Sequence, residues 1–252
     1  MVEKIYLKIP PLTGERERAA YIYLPVGYDG MRRFPVIYMF DGCNLFSDED
    51  ATYGKSWGLA DYLDYTETPL IVAGVDCSHV GDERLSEYSP VNFTYEGGKI
   101  RARGKKTMDW LVKQFKPFID ENYATKPDRT HTAIGGSSMG GLMTLYALAK
   151  YGKYFSRGAA LSPSLWVCGG EIPPFIVNGS FKKDCVLYTD YGSKEFSNHA
   201  VQKKAFAETA AALTTSGVHV TARVVRGGVH SEASWGKQIP YFMNILGFKP
   251  GR

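Results

Sequence analysis

The chain has 252 residues, of which 44% are hydrophobic and 22% are charged, and it carries a net charge of +4. This content is sufficient to bury a sizeable core, so we expect one domain over residues 1–252. Lysine and arginine are scattered, which argues against nucleic acid or an anionic membrane as partner, and the longest apolar runs are too short to cross a bilayer.

Two alternating segments at the N-terminus, VEKIYLKI and ERAAYIYLP, predict half-exposed strands joined by a turn at PPLTGE. The first segment lacks the apolar stretch and cleavage site of a signal peptide. The four cysteines are widely separated, without a CxxC pair or a histidine at zinc-finger spacing. We therefore expect reduced thiols and a cytoplasmic protein.

The middle of the chain changes to nearly continuous apolar runs. FPVIYMFD and LIVAGVD are typical of strands that are covered on both faces, and Ser56 to Tyr65 predicts a short helix between them. Apolar residues recur at helical spacing from Gly104 to Tyr123, where we expect Pro117 to kink or interrupt the helix.

Strands and helices alternate through the rest of the chain. The predicted elements are strand HTAIGG, helix 138–150, strands RGAALS and CVLYTD, a helix from about Asn198 to Ser216, strand VHVTARVV and an amphipathic stretch from Gly236 to Leu246. This order predicts an α/β fold with a mostly parallel sheet, an antiparallel N-terminal edge and helices on both faces. Two long loops, Cys77–Arg103 and Ser162–Asp184, are candidate binding elements.

The pattern GxSxG, which marks the nucleophile of many hydrolases, occurs twice. In these enzymes the serine occupies a strained turn between a buried strand and a helix, and flanking glycines avoid collisions between the two backbones. Ser138 has a strand before it and a helix after it, whereas Ser56 follows no strand and fits a helix cap. Ser137 fails the spacing because Met139 stands at its second glycine position, so Ser138 is the candidate nucleophile.

A serine nucleophile needs a base, and in this architecture the chain order is serine, acid, histidine. His230 follows the last strand in a glycine-rich loop that can reach the sheet edge near Ser138. The other histidines either precede the serine or fall in predicted elements: His79, His131, His199 and His219. His230 is the candidate base.

The acid should follow the strand CVLYTD, where both Asp190 and Glu195 qualify. Asp190 is at the strand end and could equally hold a turn, whereas Glu195 lies further into the loop. Either carboxylate could orient the histidine and stabilise its protonated form, and spacing favours Glu195 only slightly.

The oxyanion hole of such an enzyme needs two N–H donors. One should be the amide of Met139, directly after the nucleophile, and the other should come from the loop after FPVIYMF, where the Cys43 amide is the best candidate. No glycine-rich turn surrounds Cys43, so we reject it as a catalytic thiol.

These motifs together resemble the putative-esterase family of α/β-hydrolases, which includes feruloyl, acetylxylan and enterochelin esterases, S-formylglutathione hydrolases and mycolyltransferases. The resemblance rests on five segments in the same order between about residues 34 and 240: FPVIYMFDGCNLF, RLSEYSP, IGGSSMGGLMTLYALAKYGKYFSRGAALSPSLW, YGSKE and GGVHSEASW. It implies a triad of Ser138, Glu195 and His230, which decides between the two acids, and an oxyanion amide at Cys43.

The resemblance implies a serine carboxylesterase that requires neither cofactor nor metal. The chain has no extra lid domain, so we expect an open cleft that the two long loops wall. Trp57 and Trp166 are candidate aromatic platforms for a planar acid or a sugar, while Trp235 is expected to serve ordinary packing. The favoured substrates are feruloyl or acetyl esters of plant-derived carbohydrates.

Alternative functions remain on the sequence alone. Hydrolysis of a siderophore trilactone would suit Arg84, Arg101 and Arg103 as anion-binding residues near the cleft. A thioesterase acting on S-formylglutathione fits less well, because Ser137 stands where that elbow usually has histidine. Two alternatives do not involve hydrolysis. The protein could be an acyltransferase that passes the acyl group to a sugar hydroxyl, or a non-catalytic binding protein. The sequence leaves the oligomeric state open, a homo-oligomer included.

Overall fold

The computed structural model describes residues 1–195 and 199–251, and a mixed sheet organises this part of the chain. Its strands are β1 Val2–Lys8, β2 Glu17–Tyr23, β3 Val36–Phe40, β4 Ile71–Val75, β5 Phe93–Tyr95, β6 Gly98–Ile100, β7 Thr132–Ser137, β8 Arg157–Leu161, β9 Val186–Gly192 and β10 His219–Val225. The main sheet has the order β1-β2-β4-β3-β7-β8-β9-β10, and β5 and β6 form a separate hairpin. β2 runs antiparallel to both of its neighbours while β3, β4 and β7 to β10 pair in parallel, which confirms the predicted fold class.

Helices connect the strands at nearly every crossover. They are α1 Pro10–Thr13, α2 Leu59–Thr66, α3 Glu83–Glu87, α4 Gly104–Trp110, α5 Lys116–Asn122, α6 Met139–Lys150, α7 Pro174–Val177, α8 His199–Thr215, α9 Glu232–Gly236 and α10 Ile239–Ile245. The expected first residue of α8, Asn198, lies outside the described residues. Within the described ranges, no helix has both the length and the apolar content to cross a bilayer.

The central strands are apolar on both faces because each face packs against a separate set of helices. Along β3, Tyr38 and Phe40 belong to one buried cluster with α4, α5 and α6, while Ile37 and Met39 belong to a second cluster with α2 and α10. Successive side chains of a strand point to opposite faces, so a strand covered twice carries no polar alternation. Helices therefore cover both faces of the sheet, as predicted.

The α-helix that contains Pro117 is interrupted by a π-helical turn just before the proline, as predicted, although the chain remains helical throughout. α4 continues through a π-helical turn, Leu111–Phe115, directly into α5. Proline lacks an N–H donor and crowds the preceding turn, and the wider π turn gives the backbone room upstream of Pro117. The amphipathic pattern is therefore uninterrupted, because Met108, Phe115 and Ile119 all reach the same core.

Ser56 does not cap the following helix, so that prediction is wrong. α2 begins at Leu59 with Gly58 as its cap residue. The Ser56 hydroxyl instead donates to Asp48 and accepts from the Gly58 N–H, at 2.8 and 3.3 Å. Ser56 thus stabilises a loop before the helix rather than its first turn.

The parallel strands direct the polar residues of the chain to one edge of the sheet. Asp41 follows β3, Asp76 follows β4, Ser138 follows β7, Ser162 follows β8, and the segments 193–195 and 226–231 follow β9 and β10. Ligands of open parallel sheets bind at the carboxyl ends of the strands, so this edge is where a site is expected.

Candidate active site

Ser138 occupies the sharp turn between β7 and α6, as the sequence predicts. Its backbone has φ 57° and ψ −120°, a conformation that is unfavourable for a residue with a side chain, by about 1–3 kcal/mol. The Ser138 N–H donates to the Leu161 carbonyl at 2.9 Å, which fixes the turn against β8. Asp41 and Ser162 at the same sheet edge also have positive φ, 54° and 44°. Strain of this kind concentrates where a fold holds side chains for function.

The glycines around Ser138 allow the strand and the helix to approach closely. A Cβ atom on Gly136 would lie 3.0 Å from the backbone carbon of Gly140, and one on Gly140 would lie 2.9 Å from the Phe40 Cβ. The 2.9 Å distance is shorter than real Cβ contacts, and the 3.0 Å distance is tighter than nearly all of them. The sequence argument for glycine at these two positions is therefore confirmed.

The structure brings His230 and Glu195 into line with Ser138. His230 Nε2 lies 2.9 Å from Ser138 Oγ, and His230 Nδ1 lies 3.0 Å from Glu195 Oε2. Glu195 is 2% exposed, so its carboxylate meets the imidazole away from bulk water. An imidazole placed in this way can take the hydroxyl proton, and the carboxylate can hold its tautomer and stabilise the resulting cation.

The second oxygen of Glu195 is held by groups that the sequence analysis did not single out. Glu195 Oε1 accepts hydrogen bonds from the Ser162 hydroxyl at 2.6 Å and from the Gly192 N–H at 2.9 Å. The indole N–H of Trp235 donates to the Ser162 hydroxyl oxygen at 2.9 Å. The Trp235 and His230 rings pack edge to face, with their centroids 4.8 Å apart. Trp235 therefore contacts His230 directly and Glu195 through the Ser162 hydroxyl, in addition to the packing role expected for it.

Asp190 lies next to this network but does not contact His230. Its Oδ1 accepts from the Ser162 N–H at 3.2 Å and its Oδ2 accepts from the Tyr188 hydroxyl at 2.8 Å. Burial, opposed by the Tyr188 hydrogen bond, raises the pKa of Asp190 to about 7. A carboxyl that retains its proton so readily is poorly suited to stabilise an imidazolium. The geometry thus pairs His230 with Glu195 and leaves Asp190 a local structural role.

The two expected oxyanion donors lie in the first turns of helices. Met139 is the first residue of α6, and Cys43 lies in a 3-10 helix, Gly42–Asn44, that follows β3. Backbone N–H groups in a first turn have no acceptor within their own helix, so both can face a substrate oxygen. The Cys43 thiol is 3% exposed, and burial raises its pKa far above the usual range, which fits its rejection as a nucleophile.

The loop that carries Cys43 is clamped by two residues of the RLSEY segment. The Arg84 guanidinium makes two hydrogen bonds of 2.8 Å to the Asp41 carboxylate, and the Asp41 N–H donates to the Tyr88 hydroxyl at 3.2 Å. Glu87 of the same segment pairs with Arg18 in a buried ion pair. The segment therefore shapes the oxyanion loop from behind.

Ser164 is a further side chain that sequence reasoning missed. Its hydroxyl lies 3.2 Å from Ser138 Oγ, and its N–H donates to the Ser138 carbonyl at 3.0 Å. The signal that could have found Ser162 and Ser164 is their position directly after a parallel strand adjacent to β7.

A cavity of about 440 Å³ opens above Ser138 and His230. This volume lies in the range of small-molecule sites. Its polar lining includes Asp41, Asn44, Thr52, Ser78, His79 and Glu232. Tyr53 lies at the mouth with 79% of its surface exposed, so it offers an aromatic face that the sequence analysis did not identify.

The prediction of aromatic platforms at Trp57 and Trp166 is wrong for this cavity. Trp57 is 6% exposed and packs against Trp235 and Phe242 in the second core cluster. Trp166 is half-buried, contacts Phe93 and a neighbouring tyrosine of the β5–β6 hairpin, and does not line the cavity. Neither ring presents a face to a ligand bound at Ser138.

Two other expectations about the cavity need correction. Of the two long loops, Cys77–Arg103 contributes to the described lining and Ser162–Asp184 does not, whereas residues of the segment 44–53 also line the cavity. Arg84 lines the cavity but is paired with Asp41, whereas Arg101 lines a separate groove and Arg103 donates to backbone carbonyls of α1. The cluster of free basic residues expected at the cleft is therefore absent from the described cavity lining.

The family model described as "Putative esterase" matches residues 13–243. The chain therefore belongs to this esterase family.

The chain is also similar to individual proteins. The chain is 28% identical over 153 residues to the uncharacterized protein YbbA of Bacillus subtilis (strain 168), covering 58% of the chain and 56% of YbbA. It is 25% identical over 230 residues to an endo-1,4-beta-xylanase/feruloyl esterase of Xylanibacter ruminicola, covering 88% of the chain and 28% of that protein. The chain thus spans only part of the length of these relatives.

The fold is also that of solved esterase structures. The enterobactin esterase FES from Shigella flexneri, determined in the presence of enterobactin, superimposes with a TM-score of 0.74 at 16% identity. The match covers 98% of this chain and 59% of that one. At this identity the likeness shows the fold alone.

Proposed function

We propose that this chain is a serine carboxylesterase. Ser138 Oγ attacks the ester carbonyl while His230 Nε2 takes the hydroxyl proton, and the amides of Cys43 and Met139 stabilise the oxyanion. His230 then gives the proton to the departing alcohol, and water activated by His230 releases the acid from Ser138. The single observation that carries this proposal is the hydrogen-bonded series from Ser138 through His230 to Glu195, at 2.9 and 3.0 Å.

The favoured substrate is a feruloyl or acetyl ester of a carbohydrate. Asn44, Thr52 and Glu232 supply hydrogen-bonding groups in the cavity, which suits the hydroxyl groups of a sugar. Burial raises the pKa of Glu232 above its usual range, and its carboxyl oxygens can accept hydrogen bonds from sugar hydroxyl groups. The exposed ring of Tyr53 can stack on a sugar or on an aromatic acid. The feruloyl esterase relative supports the same class.

The charges of the cavity argue against a polyanionic substrate such as a siderophore trilactone. Arg84 and Asp41 both line the cavity and neutralise each other, which leaves the Glu232 carboxyl as the acidic group of the lining outside that pair. A catecholate ligand would gain little from this environment, because like charges repel and a paired cation attracts weakly.

The test compares initial rates on methyl ferulate, p-nitrophenyl acetate and enterobactin for the wild type, Ser138→Ala and Ser137→Ala. We expect turnover of at least one of the first two esters, a loss of about 10³-fold or more in Ser138→Ala, and little change in the adjacent-serine control. Equal activity in wild type and Ser138→Ala would contradict the mechanism. Preferential hydrolysis of enterobactin would contradict the substrate class. Product partitioning toward an added sugar alcohol would indicate acyl transfer.

A further inference from the structure

A second group of reactive side chains lies at and behind the wall of the cavity, and these side chains have no role in the mechanism above. It consists of the Cys43 thiol, the Asp76 carboxylate and the His79 imidazole, whose ligand atoms all lie within 4.8 Å of one another. Cys43 follows β3 and Asp76 follows β4, so the parallel pairing of these two strands brings them together. We call these three residues the Cys–Asp–His cluster.

Contacts within and around the cluster already orient its members. His79 Nε2 lies 3.0 Å from Asp76 Oδ2, while Asp76 Oδ1 accepts the Cys77 N–H at 2.7 Å. The Cys43 sulfur lies 3.5 Å from the Thr52 hydroxyl. The contacts with Cys77 and Thr52 come from outside the three ligands, and outer hydrogen bonds of this kind fix the orientation of metal-ligating side chains in proteins.

The cluster combines burial with access from solvent. Cys43 and Asp76 are 3% and 8% exposed, whereas half of the His79 side chain is exposed and lines the cavity. An ion can therefore reach the cluster through the cavity and be held on the protein side by the two buried ligands.

The donor set and spacing fit a tetrahedral ion of the zinc class. Zinc binds nitrogen and oxygen at about 2.0–2.1 Å and thiolate sulfur at about 2.3 Å, which places ligand atoms about 3.3–3.8 Å apart. His79 Nε2 and Asp76 Oδ2 are 3.0 Å apart, which is close to that separation. The Cys43 sulfur lies within 4.8 Å of both atoms, so a small movement of the Cys43 side chain would complete the geometry. A thiolate and an imidazole select against magnesium and calcium.

We propose that Cys43, Asp76 and His79 bind one zinc-class divalent cation, with the fourth coordination position directed to the cavity. As the metal–sulfur bond forms, the thiol proton passes to solvent, so no oxidant or further reactant is needed. This site is separate from the Ser138, His230 and Glu195 groups.

Occupation of the site should inhibit ester hydrolysis, a consequence that rests on the proposed function. Cys43 supplies a proposed oxyanion amide, and drawing its sulfur toward Asp76 and His79 shifts the backbone of that short 3-10 helix. Loss of one oxyanion donor costs about 10²–10³ in rate, so we expect at least a tenfold, chelator-reversible decrease on zinc addition.

The decisive experiment is a titration of the full chain with Co²⁺, a spectroscopic substitute for zinc, followed by competition with Zn²⁺. The matched variants are His79→Gln and His131→Gln. His131 also contacts an aspartate, with its Nδ1 2.7 Å from Asp128 Oδ2, but it belongs to no such cluster among the described residues. Because neither variant touches Ser138, His230 or Glu195, the rate of each is measured without metal and inhibition is expressed relative to that rate.

We expect one Co²⁺ per chain with a thiolate charge-transfer band and tetrahedral visible bands, an affinity about 10-fold or more weaker in His79→Gln, and no change in His131→Gln. Absence of the thiolate band, or equal affinity in His79→Gln, would overturn the site. A cobalt band without zinc inhibition of an active enzyme would overturn only the coupling to catalysis. A cobalt band in a chain without esterase activity would support the site and refute the proposed function.

Discussion

Replacement of Asp190 by asparagine tests whether Asp190 is a neutral structural acid and Glu195 is the carboxylate that acts with His230. Asp190 is 1% exposed, and burial raises its pKa to about 7. Asparagine has the shape of the neutral acid. Its oxygen can accept the Ser162 N–H, and its NH₂ can donate to the Tyr188 hydroxyl, which can then turn toward Gln238 at 3.4 Å. The variant therefore mimics the protonated wild type without titrating.

The sign and size of the effect follow from proton linkage. Asp190 binds its proton up to about pH 7 in the folded chain, but an aspartate in the unfolded chain ionises near pH 4. Between these values the unfolded state loses the proton first, so the wild type loses stability as pH rises, by about 1.4 kcal/mol per pH unit. Above about pH 7 the loss is complete. From pH 5 to pH 8 we expect Asp190→Asn to gain about 3 kcal/mol of unfolding free energy relative to the wild type.

Urea denaturation of both proteins at pH 5 and pH 8 measures this difference directly. Ester hydrolysis by Asp190→Asn should remain within a few-fold of the wild type, because Asp190 does not contact His230. A stability difference that stays constant between the two pH values would refute the assignment of a neutral buried acid. A loss of activity of 10²-fold or more would refute the choice of Glu195 as the partner of His230.

Three further substitutions test the surroundings of the proposed nucleophile. Glu195→Gln should lower kcat/KM by about 10²–10⁴, because the amide NH₂ would face His230 and impose the wrong tautomer on the imidazole. Wild-type kinetics in this variant would exclude Glu195 as the residue that orients His230. Trp235→Phe should lower the unfolding free energy by about 1–3 kcal/mol, measured in urea, and an unchanged midpoint would show that the indole N–H is dispensable. Arg84→Gln should lower the unfolding free energy and reduce the rate of hydrolysis about 10-fold or more, because Asp41 loses its two hydrogen bonds to the guanidinium. Normal activity with reduced stability would show that Arg84 contributes to folding but not to hydrolysis.

Much of the fold could be predicted because periodicity reports directly on which faces are covered. FPVIYMFD reads as a strand covered on both sides, and β3 is such a strand, with alternate residues in two separate clusters. The positions of Ser138 and His230 could be predicted for a related reason. Both follow strands whose carboxyl ends meet at one edge of a parallel sheet.

Features that depend on the direction of individual side chains could not be predicted. Asp190 and Glu195 are five positions apart in one segment, and their spacing does not decide between them. The structure does, because Glu195 contacts His230 whereas Asp190 accepts from the Ser162 N–H and the Tyr188 hydroxyl. Composition likewise cannot tell a tryptophan in the core from one in a binding site, so Trp57 was assigned to the wrong surface. Tyr53 was missed because it lies in a loop without periodicity.

Covalent labelling shows most directly whether Ser138 is the nucleophile. The chain, Ser138→Ala and Ser137→Ala are each treated with a fluorophosphonate, which phosphonylates an activated serine with loss of fluoride, and are analysed by intact and peptide mass spectrometry. We expect one adduct on Ser138 in the wild type, the same adduct in Ser137→Ala and none in Ser138→Ala. Labelling of Ser138→Ala at an equal rate, or an adduct on another serine of the wild type, would contradict this role of Ser138.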